Sequence, residues 1–317
     1  MDVPRQVGQQ LFRIGELLGS GASGDVYAAV DQSGGAVAIK FLHEHLMEDP
    51  TMVARFQREA RLAARIDSDF VAPVLASGRT AGRYWIAYKR LVGETLEARL
   101  ERDGVLLAQP RRLIIRQLYQ GLAAAHGASV IHRDIKTSNV FLEKLAASEE
   151  RACILDFGVS KARVTSSATS QHPLTSDTET LGSVSYMAPE QIGGSAHVDA
   201  RADVYAAGVV AFRTVTGGLP FAGPSRTVVL HAKLNTDPPT LAKVTGVVWP
   251  APIEAFFARV LSRNPDTRFA SAEQALVSWE EATKDAQPDP RDFARSLNER
   301  ADDTTEVETA PPSRDGG

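Results

Sequence analysis

The sequence predicts an α+β fold of two lobes, with a small β-rich N-terminal lobe and a larger, mostly helical C-terminal lobe. Short β-prone runs, bounded by glycine-rich or polar turns, fill the chain up to about residue 90. Helical apolar spacing dominates from there to about residue 284. At 317 residues the chain is long enough for two separate hydrophobic cores.

The composition excludes several classes of protein. Hydrophobic residues make up 43% and charged residues 23% of the chain, as is usual for globular proteins. A net charge of −4 offers no basic footprint, so we expect no nucleic-acid partner. The single cysteine, Cys153, lies in an apolar run and predicts a buried core residue rather than a disulfide or zinc site. No signal peptide or apolar run of about 18 residues occurs, so we expect a cytoplasmic protein without a membrane span.

The chain divides into four parts. Residues 1–10 form a polar N-terminal extension, residues 11–90 the first lobe and residues 91–284 the second. Residues 285–317 form an acidic tail that contains proline and threonine and is predicted to be largely disordered. A passive tail is the favoured interpretation, and a partner that reads phosphothreonine within residues 304–309 is the alternative.

The glycine-rich stretch from Gly19 to Val26 reads G-x-G-x-x-G-x-V. A dinucleotide-binding fingerprint requires a helix after the glycines, whereas here a β-prone run follows. The flanks therefore favour a hairpin whose glycines let the backbone approach phosphates. Alone, the motif leaves a purely structural hairpin open.

A short strand ends in Lys40, which is either an exposed terminal lysine or a phosphate-binding one. In the second case a carboxylate on a helix should hold the ammonium in place. Residues 53–66 have helical apolar spacing, and Glu59 adjoins their apolar stripe. Glu59 is therefore the candidate partner, while Glu44 and Glu48 compete with it, and a solvated glutamate is the simpler alternative.

Two further strands are predicted at residues 71–75 and 84–88, with a polar turn at residues 78–82 between them. Residues 111–127 then predict a long buried helix. On it, His126 is expected to be a packed histidine rather than a metal ligand.

The stretch 132–139 reads HRDIKTSN and lies between two apolar segments, where a loop can hold catalytic groups. A predicted hairpin, residues 140–142 and 152–155, leads on to Asp156. An aspartate at a strand end is often a turn former. Together with Asn139, however, Asp156 provides the amide and carboxylate oxygens that suit a phosphate-bound Mg²⁺.

Five motifs in this order resemble the bacterial eukaryotic-like (Hanks-type) serine/threonine protein kinases. They are the glycine loop, VAIK at 37–40, HRDIKTSN at 132–139, DFG at 156–158 and MAPE at 187–190. The resemblance runs from about residue 11 to about residue 284 and implies the bilobal protein kinase-like fold.

The resemblance also implies roles for individual residues. Asp134 would accept or orient the proton of a substrate hydroxyl, and Lys136 would neutralise the transferring phosphoryl group. Lys40, paired with Glu59, would fix the α- and β-phosphates of ATP. Asn139 and Asp156 would hold Mg²⁺, with Mn²⁺ as the alternative metal. The implied nucleotide pocket consists of Leu18, Gly19, Ser20, Gly21, Ala22, Ser23, Gly24, Val26, Ala38, Lys40, Lys89, Leu91 and Phe141.

The implied function is phosphorylation of serine and threonine hydroxyls of protein substrates in bacterial signal transduction. The segment between DFG and MAPE is rich in acceptors, which predicts autophosphorylation and a dimer that phosphorylates in trans. Arg133 would sense a phosphate on Thr178 or Thr180. A disordered loop without a switch is the alternative. The acceptors are Thr165, Ser166, Ser167, Thr169, Ser170, Thr175, Ser176, Thr178 and Thr180.

Several residues depart from the family pattern. Tyr88 occupies the position that guards the back of the ATP pocket, and Lys89 and Arg90 replace an acidic and an aromatic residue. Thr137 replaces a frequent proline, with a loss of rigidity but of no chemical group. Ser183 stands where threonine is usual and keeps the hydroxyl.

Other matches to the family indicate structural supports. Asp203 matches the aspartate that anchors the catalytic loop, and Arg268 matches the arginine that pairs with Glu190. Two rival functions remain open: a pseudokinase scaffold without turnover, and a small-molecule phosphotransferase of the same fold. The presence of each phosphoryl-transfer residue argues against the first, and the MAPE motif with its acceptor-rich loop argues against the second.

Overall fold

In the computed structural model the chain forms the two lobes that the sequence predicts, which confirms the α+β fold class. The structure describes residues 6–7, 12–145, 149–157, 177–192 and 198–285, and of residues 6–7 and 177–181 it describes the backbone only. The predicted tail from residue 286 onwards and most of the predicted N-terminal extension lie outside the described residues.

The N-terminal lobe is built on an antiparallel sheet of six strands in the order β1-β2-β3-β4-β6-β5. Five strands are predicted from the sequence. The additional strand, β1, has only two residues, which pair with Phe12 and Arg13, and a strand that short carries no alternating pattern. The strands are β1 (Gln6–Val7), β2 (Phe12–Gly21), β3 (Gly24–Val30), β4 (Ala36–Leu42), β5 (Val74–Thr80) and β6 (Arg83–Lys89).

The β5–β6 hairpin differs from the prediction in the bounds of its first strand and in the length of its turn. β5 begins at Val74 and runs through the polar residues that were predicted as a turn. The turn itself is only Ala81 and Gly82, whose φ angles are +50° and +81°. Ser77 and Arg79 alternate onto the exposed face of this edge strand, so their polarity does not interrupt the sheet.

Two helices join the sheet, α1 (Glu44–Met47) and α2 (Pro50–Ala63). α2 begins earlier than its apolar stripe because the Asp49 side chain accepts from the Thr51 N–H and Pro50 fits the first turn. Phe56 and Ala60 bury its inner face in an apolar cluster beneath the sheet. This packing fixes which residues of α2 face β4.

The C-terminal lobe is mostly helical, with a small sheet of three strands in the order β7-β8-β9. α7 forms its centre, since 13 of its 16 residues are buried. The strands are β7 (Gly93–Thr95), β8 (Val140–Lys144) and β9 (Glu150–Ile154). The helices are α3 (Leu96–Asp103), α4 (Ala108–Gly127), α5 (Asp177–Tyr186), α6 (Pro189–Ile192), α7 (Arg201–Thr216), α8 (Arg226–Asn235), α9 (Leu241–Thr245), α10 (Ala251–Val260) and α11 (Ala272–Thr283).

The β8–β9 hairpin lies between the loop at 132–139 and Asp156, as the sequence predicts. The backbone of Ile154 bonds to Phe70 and Ala72, which ties this hairpin to the chain that leads into β5. Among the described residues, no helix combines the length and the apolar content that crossing a membrane requires.

Candidate active site

Lys40 is a buried cation between two carboxylates, of which Glu59 is buried and Asp156 is partly exposed. Its Nζ lies 3.3 Å from Glu59 Oε1 and 2.9 Å from Asp156 Oδ2. Lys40 and Glu59 are 5% and 4% exposed. β4 supplies the lysine, α2 the glutamate, and the segment after β9 the aspartate. Of the glutamates considered from sequence, Glu59 is the one that the structure brings to Lys40.

Burial and charge shift these groups in different directions. Burial lowers the pKa of Lys40, but the carboxylates of Asp156 and Glu59 outweigh it and raise that pKa above its usual range. Burial raises the pKa of Glu59 to about 7, against the opposing effect of Lys40. Tyr88 donates to Glu59 Oε1 over 3.4 Å, and burial raises the pKa of Tyr88 well above its ordinary value. Because its own pKa is raised, Lys40 remains a cation at neutral pH.

Asp203 on α7 anchors the backbone of the loop at 132–139. Its carboxylate accepts the backbone N–H groups of His132 and Arg133, each over 2.7 Å. The His132 ring accepts the Asp134 N–H at Nδ1 over 3.2 Å, so its Nε2 carries the proton that it donates to the Leu155 carbonyl over 2.8 Å. The fully buried imidazole thus joins the loop to the residue that follows β9.

Two residues beside these contacts have unusual backbone angles. The φ angles of Arg133 and Asp156 are +67° and +44°, in the left-handed region that side chains other than glycine rarely adopt. Each costs on the order of 1 kcal/mol. The Arg133 N–H is held by Asp203, and the Asp156 carboxylate is held by Lys40. Backbone strain therefore lies beside the base candidate, Asp134, and at the lysine partner, Asp156.

Asp134, Lys136 and Asn139 lie together on the loop. Lys136 Nζ is 3.6 Å from Asp134 Oδ2. Asn139 donates through Nδ2 to the backbone carbonyl of Asp134 over 2.8 Å. The backbone carbonyl of Asn139 accepts the Leu155 N–H. Among the described residues, no group of three or more His, Cys, Asp and Glu side chains forms a metal site. The oxygen donors available here are the Asn139 amide and the Asp156 carboxylate.

Most of the candidate nucleotide residues lie on the strands of the N-terminal lobe. Gly24 is required by packing, since a Cβ there would lie 1.9 Å from the Phe41 carbonyl oxygen. Leu18, Gly19, Ser20 and Gly21 lie on β2, Ala22 and Ser23 on the turn, Gly24 and Val26 on β3, Ala38 on β4, Lys89 at the end of β6, Leu91 just after it, and Phe141 on β8.

Lys89 and Arg90, which depart from the family pattern, each pair with a glutamate. Lys89 Nζ lies 3.7 Å from Glu143 Oε1, and Arg90 Nη2 lies 3.7 Å from Glu16 Oε1. Their backbone N–H groups bond to the carbonyls of Pro73 and Ala36. The side chains that depart from the family pattern at this position therefore form ion pairs with Glu143 and Glu16.

Arg268 and Glu190 pair as the resemblance implies. Arg268 holds Glu190 through two hydrogen bonds of 2.6 and 2.7 Å. Ser183 and Asp134 line a common cavity of about 210 Å³. His126 is packed, with Nε2 3.0 Å from Asp203 Oδ2.

One contact at the glycine loop was not predicted from the sequence. His43 Nε2 lies 2.8 Å from the Gly21 carbonyl oxygen, and the His43 N–H donates to the Ser23 carbonyl. His43 therefore ties the tip of the loop to the start of α1. No sequence pattern connects residues so far apart.

Comparison with known proteins agrees with this geometry. The protein kinase domain family matches residues 12–279. Serine/threonine-protein kinase PknE of Mycobacterium tuberculosis is 36% identical over 262 residues, which cover 82% of this chain and 44% of PknE. Serine/threonine-protein kinase pkn3 of Myxococcus xanthus is 34% identical over 307 residues, which cover 95% of this chain and 55% of pkn3.

A solved structure shows the same fold. The crystal structure of the M. tuberculosis PknI kinase domain superposes with a TM-score of 0.66 at 26% identity, covering 86% of this chain and 96% of that one. The chain spans about half the length of the two curated relatives. It belongs to the protein kinase family, in its bacterial eukaryotic-like (Hanks-type) serine/threonine branch.

Proposed function

We propose that the chain is an ATP-dependent serine/threonine protein kinase that transfers the γ-phosphate of ATP to serine and threonine hydroxyls of protein substrates in bacterial signal transduction. The observation that carries the proposal is the contact of Lys40 with both Glu59 and Asp156, on elements that meet beside the loop of Asp134. A scaffold that only binds partner proteins has no need for this charge cluster, whereas one that binds nucleotide without turnover would keep it and is distinguished by the assay below.

The glycine loop fits a phosphate group. A Cβ at Gly19 would meet no atom within 4 Å, and one at Gly21 would meet only a carbonyl oxygen at 3.8 Å. Internal packing therefore does not require these glycines, and the space that side chains would fill is open to phosphate oxygens. Hard oxygen donors on Asn139 and Asp156 fit Mg²⁺, with Mn²⁺ as the alternative. When bound, the metal neutralises charge on the phosphates.

Each of four residues then has a separate role in the transfer. Asp134 orients the substrate hydroxyl and takes its proton as the new oxygen–phosphorus bond forms and the bond to the ADP leaving group breaks. Lys136 offsets the charge on the transferring phosphoryl group. Lys40 holds the α- and β-phosphates, and Glu59 holds Lys40. Because the transition state is loose, positioning and charge stabilisation supply most of the acceleration.

The same proposal includes activation by autophosphorylation, in trans within a dimer. Arg133 Nε is buried and makes no hydrogen bond to any described residue, which supports a role in pairing with a phosphate. Thr178 and Thr180 belong to α5 by backbone, while the acceptors at 165–176 lie outside the described residues. Mass spectrometry after incubation with Mg-ATP tests this point. An active sample without phosphate between residues 165 and 180 would exclude it.

One binding partner is proposed beyond the protein substrates. A phosphothreonine-reading protein is the candidate for the tail or for the phosphorylated loop. Pull-down with a phosphothreonine-binding domain, before and after phosphatase treatment, would test it, and capture that phosphatase does not change would exclude it.

An acceptor panel tests the reaction class. Purified protein with labelled ATP and Mg²⁺ is offered a generic basic protein, free sugars and aminoglycosides, beside an Asp134→Asn control. Label on serine and threonine of the protein, absent with the control, is the expected result. Label on a small molecule would favour the phosphotransferase, and nucleotide binding without any transfer would favour the scaffold.

A further inference from the structure

Thr137 directly follows Lys136, at the position where the sequence suggests only the loss of a rigid proline. In the structure its side chain is fully buried and opens the 3-10 helix Thr137–Asn139. The hydroxyl bonds to a carboxylate oxygen of Glu97 on α3, lies 2.7 Å from the Tyr186 hydroxyl and lies 3.0 Å from Arg213 Nη1. Thr137 therefore contributes a chemical group that proline lacks.

Arg213 on α7 completes the arrangement. Its Nη1 lies 2.8 Å from both carboxylate oxygens of Glu97 and 2.7 Å from the Tyr186 hydroxyl. We call Glu97, Thr137, Tyr186 and Arg213 the Thr137 cluster. Its members come from α3, the catalytic loop, the last residue of α5, and α7, so it joins four segments that are distant in sequence.

The hydrogen-bond directions place the threonine at the centre. A hydroxyl has one proton, and the Glu97 carboxylate can only accept, so Thr137 donates to Glu97. Toward Arg213 and Tyr186 it must then accept. Burial raises the pKa of Tyr186, which keeps its hydroxyl protonated and able to donate. A valine at residue 137 would fill the same space and leave these groups without their shared partner.

The Thr137 cluster connects the catalytic loop to the segment that follows α5. On one side, Thr137 lies next to Lys136 and two residues before Asn139. On the other, Tyr186 precedes Met187, whose carbonyl accepts from the buried Lys233 on α8 over 2.7 Å. Movement of the loop relative to the end of α5 would therefore break bonds to charged groups.

We propose that Thr137 is a positioning residue, whose hydroxyl holds the catalytic loop in register with the segment that ends at Tyr186. The inference rests on the proposed kinase function and assigns the cluster to the protein-substrate side of that reaction. The Thr137 cluster positions Asp134 and Lys136 against the acceptor hydroxyl, whereas nucleotide binding depends on Lys40 and the glycine loop.

The test is steady-state kinetics of Thr137→Val and Thr137→Ser. Valine should lower kcat for a protein substrate about tenfold, the rate equivalent of one lost hydrogen bond, and leave the KM for ATP within about twofold. Serine keeps the hydroxyl and should restore kcat to within about threefold of the wild-type protein.

Thr214→Val is the matched control. Thr214 is equally buried, but its hydroxyl donates to the Val210 carbonyl within α7, so this variant should keep kcat within about twofold. Equal kcat in the two valine variants, or no rescue by serine, would overturn the inference. Wild-type protein as inactive as Asp134→Asn would instead refute the kinase function on which it rests.

A second variant covers the case in which Thr137→Val fails to fold by circular dichroism. Tyr186→Phe removes the facing hydroxyl and keeps the ring, and it should lower kcat with an unchanged KM for ATP. Unchanged kcat in this variant would overturn the inference as well.

Discussion

The two halves of the candidate active site, the proposed nucleotide half and the loop half, are held together by different interactions. In the nucleotide half, three charged side chains from separate elements meet, with Lys40 between Glu59 and Asp156. In the loop half, one buried carboxylate, Asp203, accepts two backbone N–H groups.

This difference predicts different mechanical behaviour. The contacts of Lys40 depend on α2 and on the segment after β9 keeping their places relative to β4, and an ion pair can be exchanged for phosphate oxygens. The bonds of Asp203 fix the backbone of the loop itself, and the same carboxylate also contacts His126 on α4. We therefore expect the nucleotide half to adjust during the reaction and the loop half to remain rigid.

Removing the anchor of the loop half should have the largest effect on stability. Asp203→Ala leaves two buried N–H groups unsatisfied, so we expect a loss of about 3 kcal/mol in the free energy of unfolding. Kinase activity should fall at least about 100-fold because the loop is no longer fixed. Urea denaturation and kcat measure the two effects. Asp203→Asn, which keeps one acceptor oxygen, should be milder, and an equally stable alanine variant would break the comparison.

In the nucleotide half, the prediction concerns pH. Burial raises the pKa of Glu59 from 4.5 to about 7. A carboxyl whose pKa is raised by folding stabilises the protein fully below the unfolded value, and this contribution disappears as pH rises through the folded value. Relative to Glu59→Gln, the wild-type protein should thus lose stability between about pH 5 and pH 8.

Urea midpoints of the two proteins without nucleotide, at the two ends of this range, provide the measurement. A difference that stays constant with pH, or that changes in the opposite direction, would show that the Glu59 carboxylate is well solvated or fully compensated by Lys40.

The smallest expected effect is that of Tyr88→Phe. The Tyr88 hydroxyl donates to Glu59 over a long 3.4 Å, so its loss should change kcat less than about threefold. The smaller side chain should also widen access behind the adenine site, which can be measured with inhibitors that reach that space. A tenfold or larger loss of kcat would mean that Tyr88 is an essential support of Glu59.

Much of the candidate active site can be predicted from sequence because local sequence patterns determine which elements form and which faces they bury. The apolar stripe around Phe56 and Ala60 orients α2 and thereby points Glu59 at β4. The motifs on the loop and after β9 lie at the ends of predictable strands. These contacts follow from element packing, and the element pattern is visible in the residues.

Other features depend on contacts between distant residues. Ser77 and Arg79 look like a turn because exposure on an edge strand and a loop favour the same polar residues. The strand Gln6–Val7 exists only through its partner, β2. The hydroxyl of Thr137 meets Arg213 across 76 positions of sequence, and no local pattern reports such a contact.

The most direct test of the central claim measures Mg-ATP affinity and phosphoryl transfer in the same two variants. Lys40→Met should weaken nucleotide binding and reduce transfer at least about 100-fold, whereas Asp134→Asn should reduce transfer as strongly and keep nucleotide affinity within about twofold. Near-normal transfer in both variants would contradict the assignment of the active site. Equal loss of affinity in both would contradict its division into two halves.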